Sequence, residues 1–591
     1  MKGTARRRLK RLKKRKLLFL AIIFALVLLL PAAFLSQAGK ASYDYDLVVA
    51  GSDPEGIAAA ISAARNGLKV LLVDWRSEVG GLLTRGWLCT LDMNYDPAGN
   101  LLTLGIFQEF FQQLEGVSFD VVTARTALEK MLAAEKNVQL LLGQRIGGVL
   151  RKKNRVAAVL LENGERITAA RFIDATQDAD LAAMAGAGFT LGMEDLGSKR
   201  RQAVTLVLEV GGVDWDELTA ALAKDPSGHS GASGTSAWGF LEEMRGYRSV
   251  DPRIRSRGLN ISLQNSGNVL INAMHIFGVD ALDPKSWEEA LERGQKEAEF
   301  LVRYMRQNLP GFKGAFLAGT APELYVRETR HLQGLYRLTI DDVLEHRNFW
   351  DKIALGSYPV DVQATAMDDW GAVVGNPAMY SIPLRCLIPG ELTNLLVVGR
   401  GASYDSLAHG SARVVPVGIA VGEAAGVAAA ISLEKGVNFH ELSKDKSLVA
   451  SLQERLKEQG AYLRDFEFPY ALEGHPLYPV IRELRAYGLV TGRYDNDYRL
   501  EEPACLRDIS LVIDGYLERA LQYKFRARNL SQEQREAAVE DLLWFLEGIE
   551  GADPGALGLD ELLVKYGFCQ GRTLYRGETF AFLLEFLQRL N

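Results

Sequence analysis

DLVVAGSDPEGIAAAISAARNGLKVLLVD, residues 46–74, decides how the chain folds. The apolar run Leu47 to Ala50 stops at Gly51, a small-residue helix pattern runs from Pro54 to Arg65, and Gly67 closes it. A second apolar run, Val70 to Val73, ends in Asp74. Strand, tight turn, helix, strand and acid at this length describe one βαβ unit. Ala58, Ala59, Ala60, Ala63 and Ala64 let the helix lie close to its sheet. Its N-terminus then directs free N–H groups and the positive end of the helix dipole at a diphosphate. The turn departs from G-x-G-x-x-G: Gly51 and Gly56 are in place, but Asp53 holds the middle position. An acidic side chain there is expected to crowd or repel a pyrophosphate. The alternative is an ordinary βαβ unit without a nucleotide.

With 591 residues, 48% hydrophobic and 24% charged, the chain has room for several domains and large cores. Residues 1–16 hold ten Lys and Arg and no acid, so the overall charge of −6 leaves −16 on the remainder. An acidic body argues against a nucleic-acid partner. Leu17 to Leu35 is uncharged and leads into Ser36-Gln37-Ala38. This pattern is a secretory signal cleaved after Ala38 or an uncleaved membrane anchor, and either places the body outside the cytoplasm. Cys89, Cys386, Cys505 and Cys569 form no C-x-x-C pair, so a redox dithiol and an iron–sulfur cluster both lack ligands, and no metal site is expected. Cys505 and Cys569 are candidates for a disulfide, with free thiols as the alternative.

After Asp74 and Trp75, Gly80 and Gly81 permit close backbone approach, and Thr84 follows on a loop. Leu101 to Leu114 and Ala124 to Ala134 show helical periodicity, and Val138 to Leu142 and Val156 to Leu161 read as strands. A strand at Phe172 and Ile173 enters Asp174-Ala175-Thr176 and an acidic turn with Asp178 and Asp180. In this the chain resembles FAD-dependent oxidoreductases of the glutathione-reductase-like class, where a strand ending in D-A-T-G-D-G-D returns beneath the nucleotide. Gln177 and Ala179 replace the two glycines. The resemblance implies FAD, held at this end by Gly51, Ser52, Pro54, Glu55, Gly56, Asp74, Trp75, Gly80, Gly81, Thr84, Ala175, Thr176 and Asp178.

A second motif, NLLVVGRGASYDSLAHGSARVVPVGIAVGEAAGVAAAISLEKG, spans 394–436. The strand Leu395 to Val398 ends at Gly399-Arg400, a loop carries His409 and Arg413, and Pro416 opens a small-residue helix. In the resembled group this helix N-terminus faces the flavin pyrimidine, where reduction places negative charge. That assigns Gly399, Arg400, Arg413, Pro416, Val417 and Gly418 to the flavin side. Between the two motifs, residues 201–330 read as an inserted α+β substrate or cap domain. It has strands at Ala203 to Val210 and Gly267 to Asn272, a helix at Trp287 to Asn308, and a flexible Gly/Ser-rich surface insertion at 225–239. YVRETRHLQ, 325–333, resembles an R-E-T-R-R segment of the same group. Arg327 can clamp a substrate carboxylate, and His331 and His409 can move protons. An internal ion-pair network is the alternative.

Beyond Gly436 the composition turns to charged amphipathic helices. Residues 468–517 and, more weakly, 565–587 resemble S-layer homology modules, which implies a cell-wall polymer or a docking role on the enzyme. The flavin motifs are complete before this region, so it is expected to stand apart from the chemistry. The fold class is therefore α/β: a Rossmann-like FAD-binding domain (44–200 and 331–436) with the inserted cap (201–330), a C-terminal all-α module (440–591) and an apolar signal or anchor helix (1–38). The expected activity is an extracytoplasmic flavoprotein oxidoreductase passing a hydride between FAD and a small-molecule substrate, with an unidentified electron acceptor. A surface-bound binding protein with an inactive flavin fold is the rival, and a NAD-linked dehydrogenase lacks a second nucleotide fingerprint.

Overall fold

The computed structural model describes residues 43–225 and 228–590; the expected signal or anchor at 1–38 lies outside them. β1 (Tyr45–Ala50), α1 (Pro54–Arg65) and β2 (Val70–Val73) form where the spacing predicts. β3 (Val138–Leu141), β4 (Ala169–Asp174) and β5 (Leu395–Val397) complete a parallel sheet of order β5-β4-β1-β2-β3. Ala50 lies opposite both Val73 and Asp174, and Val397 opposite Asp174, so the carboxyl ends of the strands share one edge. The chain leaves β1 toward β2 on one side and returns to β4 on the other. That is a topological switch point, where open α/β sheets receive ligands.

α2 (Val415–Glu434) packs along α1. It is long and apolar enough to cross a bilayer, yet it lies almost wholly inside the protein. Both helices are lined with Ala and Gly because their backbones nearly touch. A Cβ on Gly426 would stand 2.6 Å from Ala59 O and 2.8 Å from Ala63 N, and one on Gly422 would run into Glu55 O. Ser62 Oγ donates to Glu423 O at 2.7 Å across the same interface. Pro416 takes the second helical position rather than the first.

The cap is a six-stranded antiparallel sheet built from Val204–Gly211, Gly231–Ser233, Ser236–Gly239, Ile254–Leu263, Val269–Ile276 and Phe316–Thr320. The helix Pro284–Asn308 packs on it where Gly294 meets Leu206 and Ile276. Of the segment read as a flexible insertion, 231–239 is instead the ordered edge hairpin of this sheet. The helix expected over 101–114 shrinks to Ile106–Phe111, because Gly105 at φ 63° breaks it and Leu101 bridges Tyr95. The next helix starts earlier than expected, at Val121, since the Asp120 carboxylate caps Val122 N and Thr123 N.

The C-terminal region has its own hydrophobic core, from Ile481 to Leu590. Three of its helices, Leu506–Arg519, Val539–Glu547 and Arg576–Gln588, start from a closed ring of backbone bonds. Ala504 N donates to Leu574 O, Leu574 N to Ala537 O, and Ala537 N to Ala504 O, at 2.8, 3.0 and 2.8 Å. A short strand pair, Arg526–Ala527 with Ile549–Glu550, interrupts the expected all-α composition. All four cysteines are free thiols, so the Cys505–Cys569 pairing is not formed.

If the α1–α2 contact carries the fold, Gly426→Ala should cost about 1–3 kcal/mol, the usual penalty of forcing atoms into a packed interface. Urea denaturation reads this directly. An unchanged midpoint would show that the helices can separate freely.

Candidate active site

Three cavities run one into the next, sharing walls. The first, about 670 Å³, opens at the carboxyl edge of the sheet between Gly51, Asp74, Trp75, Thr176 and Asp178. A neck of about 20 Å³ follows, walled by Glu55, Asp92, Gln177, Arg327 and Arg413. The third, about 370 Å³, lies under the cap sheet between Arg257, Asn272, Tyr358 and Asp361. Gln177 and Arg400 border the first cavity and the neck, while Asp92, Arg327 and Arg413 border the neck and the third.

The irregular turn is resolved by a buried ionic network. Asp53 does not cap α1; its carboxylate accepts from Leu82 N and Arg76 Nη1, both at 2.9 Å. Arg76 also pairs with Glu323 of the segment beyond the cap at 3.0 Å. Burial pushes the Asp53 carboxyl above its ordinary range, with Arg76 opposing. Asp74 accepts from Ser52 N and Oγ at 2.6 and 2.7 Å and from Arg76 N at 2.9 Å, so it fixes the turn as well as lining the first cavity.

α2 likewise has no side-chain cap at Val414, so both helix N-termini are left uncapped by side chains. Glu55 sits between them. A Cβ on Gly418 would stand 2.6 Å from its Oε1, and its buried Oε2 has no hydrogen-bond partner. Burial, with Asp53 adding, pushes the Glu55 carboxyl up to about 7.

Arg400 ties the returning strand to the 325–331 segment. It donates to Gln177 O at 2.8 Å, to Asp178 Oδ1 at 2.6 Å, and to Val326 O. Burial alone would raise the Asp178 carboxyl; Arg400 and a 2.6 Å bond from Thr329 outweigh it and hold Asp178 below the usual range. Ala179, in a glycine position of the motif, takes φ 53°, the left-handed conformation that glycine ordinarily supplies.

A model of the FAD dependent oxidoreductase family matches residues 46–456. The chain belongs to this family. A soluble pyridine nucleotide transhydrogenase of Pseudomonas syringae pv. tomato is 57% identical over 44 residues, 7% of this chain; the chain spans only a tenth (10%) of that relative's length. A geranylgeranyl bacteriochlorophyll reductase-like protein of Thermoplasma acidophilum shares 14% identity at a TM-score of 0.35, over 81% of this chain and 97% of its own. p-Nitrophenol 4-monooxygenase of Pseudomonas putida shares 11% at 0.32, over 71% and 90%.

The residues present fit FAD. The start of α1 has N–H groups without side-chain caps for a diphosphate, the start of α2 has the same for the flavin pyrimidine, and Glu55 between them can meet either in its protonated form. Of the expected contacts, Gly51, Asp74, Trp75, Thr176, Asp178 and Arg400 line the first cavity, Glu55 and Arg400 the neck, and Arg413 the neck and the third cavity. Ser52, Pro54, Gly56, Gly80, Gly81, Thr84, Ala175, Gly399, Pro416, Val417 and Gly418 line none of them. Two of them pack directly behind the lining: Ala175 O would stand 2.5 Å from a Cβ on Gly51, and Thr84 Oγ1 donates to Val79 O at 2.6 Å.

Arg327 lines the neck and the third cavity, as a substrate clamp would. His331 and His409 do not reach any of the three cavities. Their rings meet edge-to-face at 4.7 Å in the core, and His331 Nε2 bonds Glu328 Oε1 at 3.0 Å. Burial, with His331 beside it, holds His409 well below the usual imidazole range, so it is neutral. Asp92, Arg257, Tyr358, Asp361 and Tyr494 line the third cavity without having been expected there. Tyr494 comes from the C-terminal region, so the expectation that this region stands apart from the site fails.

Glu55 gives a pH test. A diphosphate beside it disfavours its ionised form, so binding FAD should take up a proton. FAD affinity should therefore fall as pH rises through 7 and become flat in Glu55→Gln, measured by fluorescence titration of the apoprotein. A wild-type affinity that does not change across this range would contradict the placement of Glu55.

Proposed function

We propose that this protein is an extracytoplasmic FAD-dependent dehydrogenase acting on a small molecule held in the third cavity. The observation carrying this reading is the run of cavities itself, which leads from the switch point of the sheet through a neck at two helix N-termini to a polar chamber. When bound, FAD supplies the acceptor for a hydride-type oxidation of the substrate. The chain supplies binding, orientation and proton transfer. Trp75, 45% exposed and flanked by Arg76 and Arg145, offers a stacking face for the adenine end. Asp92 faces both the neck and the chamber and is bonded to Tyr358; burial raises its carboxyl above the ordinary range, which suits a group that takes the substrate's proton. Arg413, held by Tyr325 OH at 2.9 Å, keeps positive charge at the junction.

Location outside the cytoplasm rests on the basic run and apolar stretch of residues 1–35. For the C-terminal region a docking role is favoured over wall-polymer binding. Its helix-start acids Asp508, Asp541 and Glu578 are paired internally with Arg576, Arg535 and Arg572. Glu518 meanwhile bonds Ser198 at 2.7 Å and Arg200 at 3.1 Å on the enzyme.

A dehydrogenase is distinguished from a monooxygenase by what reduces its flavin. The described residues contain a single parallel sheet and no second βαβ site for a pyridine nucleotide. Mixing the holoprotein anaerobically with NADH or NADPH should leave the oxidised flavin absorbance intact, while dithionite should bleach it. Rapid bleaching by either pyridine nucleotide would overturn the dehydrogenase reading.

A further inference from the structure

Three arginines, Arg257, Arg327 and Arg413, line the third cavity against two carboxylates, Asp92 and Asp361, an excess of one positive charge. Arg413 is matched by Asp361 at 3.8 Å and by Tyr325. Arg327, only 2% exposed, uses one terminal nitrogen to bond Ala203 O and Thr205 Oγ1, both at 2.9 Å, and stacks on Tyr325. No carboxylate lies within ion-pair distance of it among the described residues. Arg257 makes no side-chain hydrogen bond or ion pair among the described residues, and its Nε is buried without a partner. Burial, with Arg257 and Arg413 adding repulsion, lowers Arg327 to about 10, so it stays charged at neutral pH. Arg257 and Arg327 thus face one chamber with no carboxylate in ion-pair contact; its two acids, Asp92 and Asp361, are engaged by Tyr358 and Arg413, which leaves room for one added negative charge. Asn272 Oδ1, also buried and unpartnered, adds an acceptor on the same wall.

One wall of this chamber comes from a different part of the chain. Tyr494 reaches the cavity wall from the loop 492–497 of the C-terminal region. That loop is pinned to the enzyme by a reciprocal pair: Asn376 N donates to Asn496 Oδ1, and Asn496 Nδ2 donates to Asn376 O, both at 2.7 Å. Asn376 Nδ2 also donates to Tyr494 O at 3.0 Å. The loop's position is therefore specified by directional bonds.

We propose that the chamber binds a small carboxylate between Arg257 and Arg327, and that Tyr494 of the C-terminal region, on its wall, limits the size of the ligand. The proposal rests on the reading that the neck holds the flavin, since the carboxylate would then lie beside it. Charge-assisted bonds from Arg are directional and strong, and a neutral isostere cannot recover them.

The test is titration of the FAD-loaded full chain with benzoate and its neutral isostere benzamide, followed by the shift in flavin absorbance. Benzoate should perturb the spectrum saturably and benzamide should not. Arg257→Gln, on a partly exposed strand position, should weaken benzoate roughly 10- to 100-fold, the loss of a charged hydrogen-bond donor. Tyr494→Ala should keep benzoate binding and admit 2-naphthoate, which the wild type should reject. The flavin absorbance itself reports whether FAD is held, so loss of cofactor is separable from loss of the carboxylate. With FAD retained, equal binding of benzamide, no response to benzoate, or an Arg257→Gln protein that binds benzoate unchanged would each overturn the carboxylate site. Rejection of 2-naphthoate by Tyr494→Ala would overturn the role of Tyr494.

Discussion

The contact between α1 and α2 is the constraint on which the site depends. Their glycine and alanine faces let two backbones lie against each other, with Gly422 on Glu55 O and Gly426 on Ala59 O. Helices that approach this closely bring their N-termini to one place. The first follows β1 and the second follows β5, so segments more than 300 residues apart in the chain deliver uncapped N–H groups to the same neck. Larger side chains at these positions would separate the helices and divide the site. The same closeness buries Glu55 and gives its carboxyl an unusual proton affinity.

A second constraint is ionic. Asp53 in the glycine-rich turn looks unfavourable for a diphosphate until Arg76 and Leu82 N are seen to engage it. Arg76 then bridges to Glu323, so the nucleotide turn and the return from the cap are held by one buried network. Breaking one partner of such a network leaves the others uncompensated, which commonly costs several kcal/mol, about 3–5. The departure from the usual motif thereby ties the nucleotide turn to the chain leaving the six-stranded sheet.

The βαβ unit and α2 were legible because their signals are local: apolar runs, small residues and a closing acid at fixed spacing. Gly51, Asp74 and Trp75 on the first chamber follow from the βαβ unit, and Asp178 follows from the resemblance carried by the strand that returns at Asp174. Locally readable periodicity failed at 101–114, where the backbone of Gly105 overrides the apolar pattern. The third chamber was not legible, because Asp92, Arg257, Tyr358, Asp361 and Tyr494 come from separate elements and meet only in space. One hint did exist. Arg255 and Arg257 alternate with Ile254 and Ser256 at the start of the strand Ile254–Leu263, and of these Arg257 lines the chamber while Arg255 stacks on Trp370. His331 and His409 illustrate the opposite error: residue types suited to proton transfer that pack together in the core.

The most direct test of this account is a crystal structure of the full chain grown with FAD. It predicts the adenine end near Trp75 and Asp74, the diphosphate at the start of α1 beside Glu55, and the isoalloxazine in the neck between Gln177 and Arg413 with its pyrimidine at the start of α2 and one face open to the chamber under the cap. A flavin bound outside this run of cavities, or one reaching only α1 while the start of α2 stays remote from it, would contradict the claim that the α1–α2 contact builds the site.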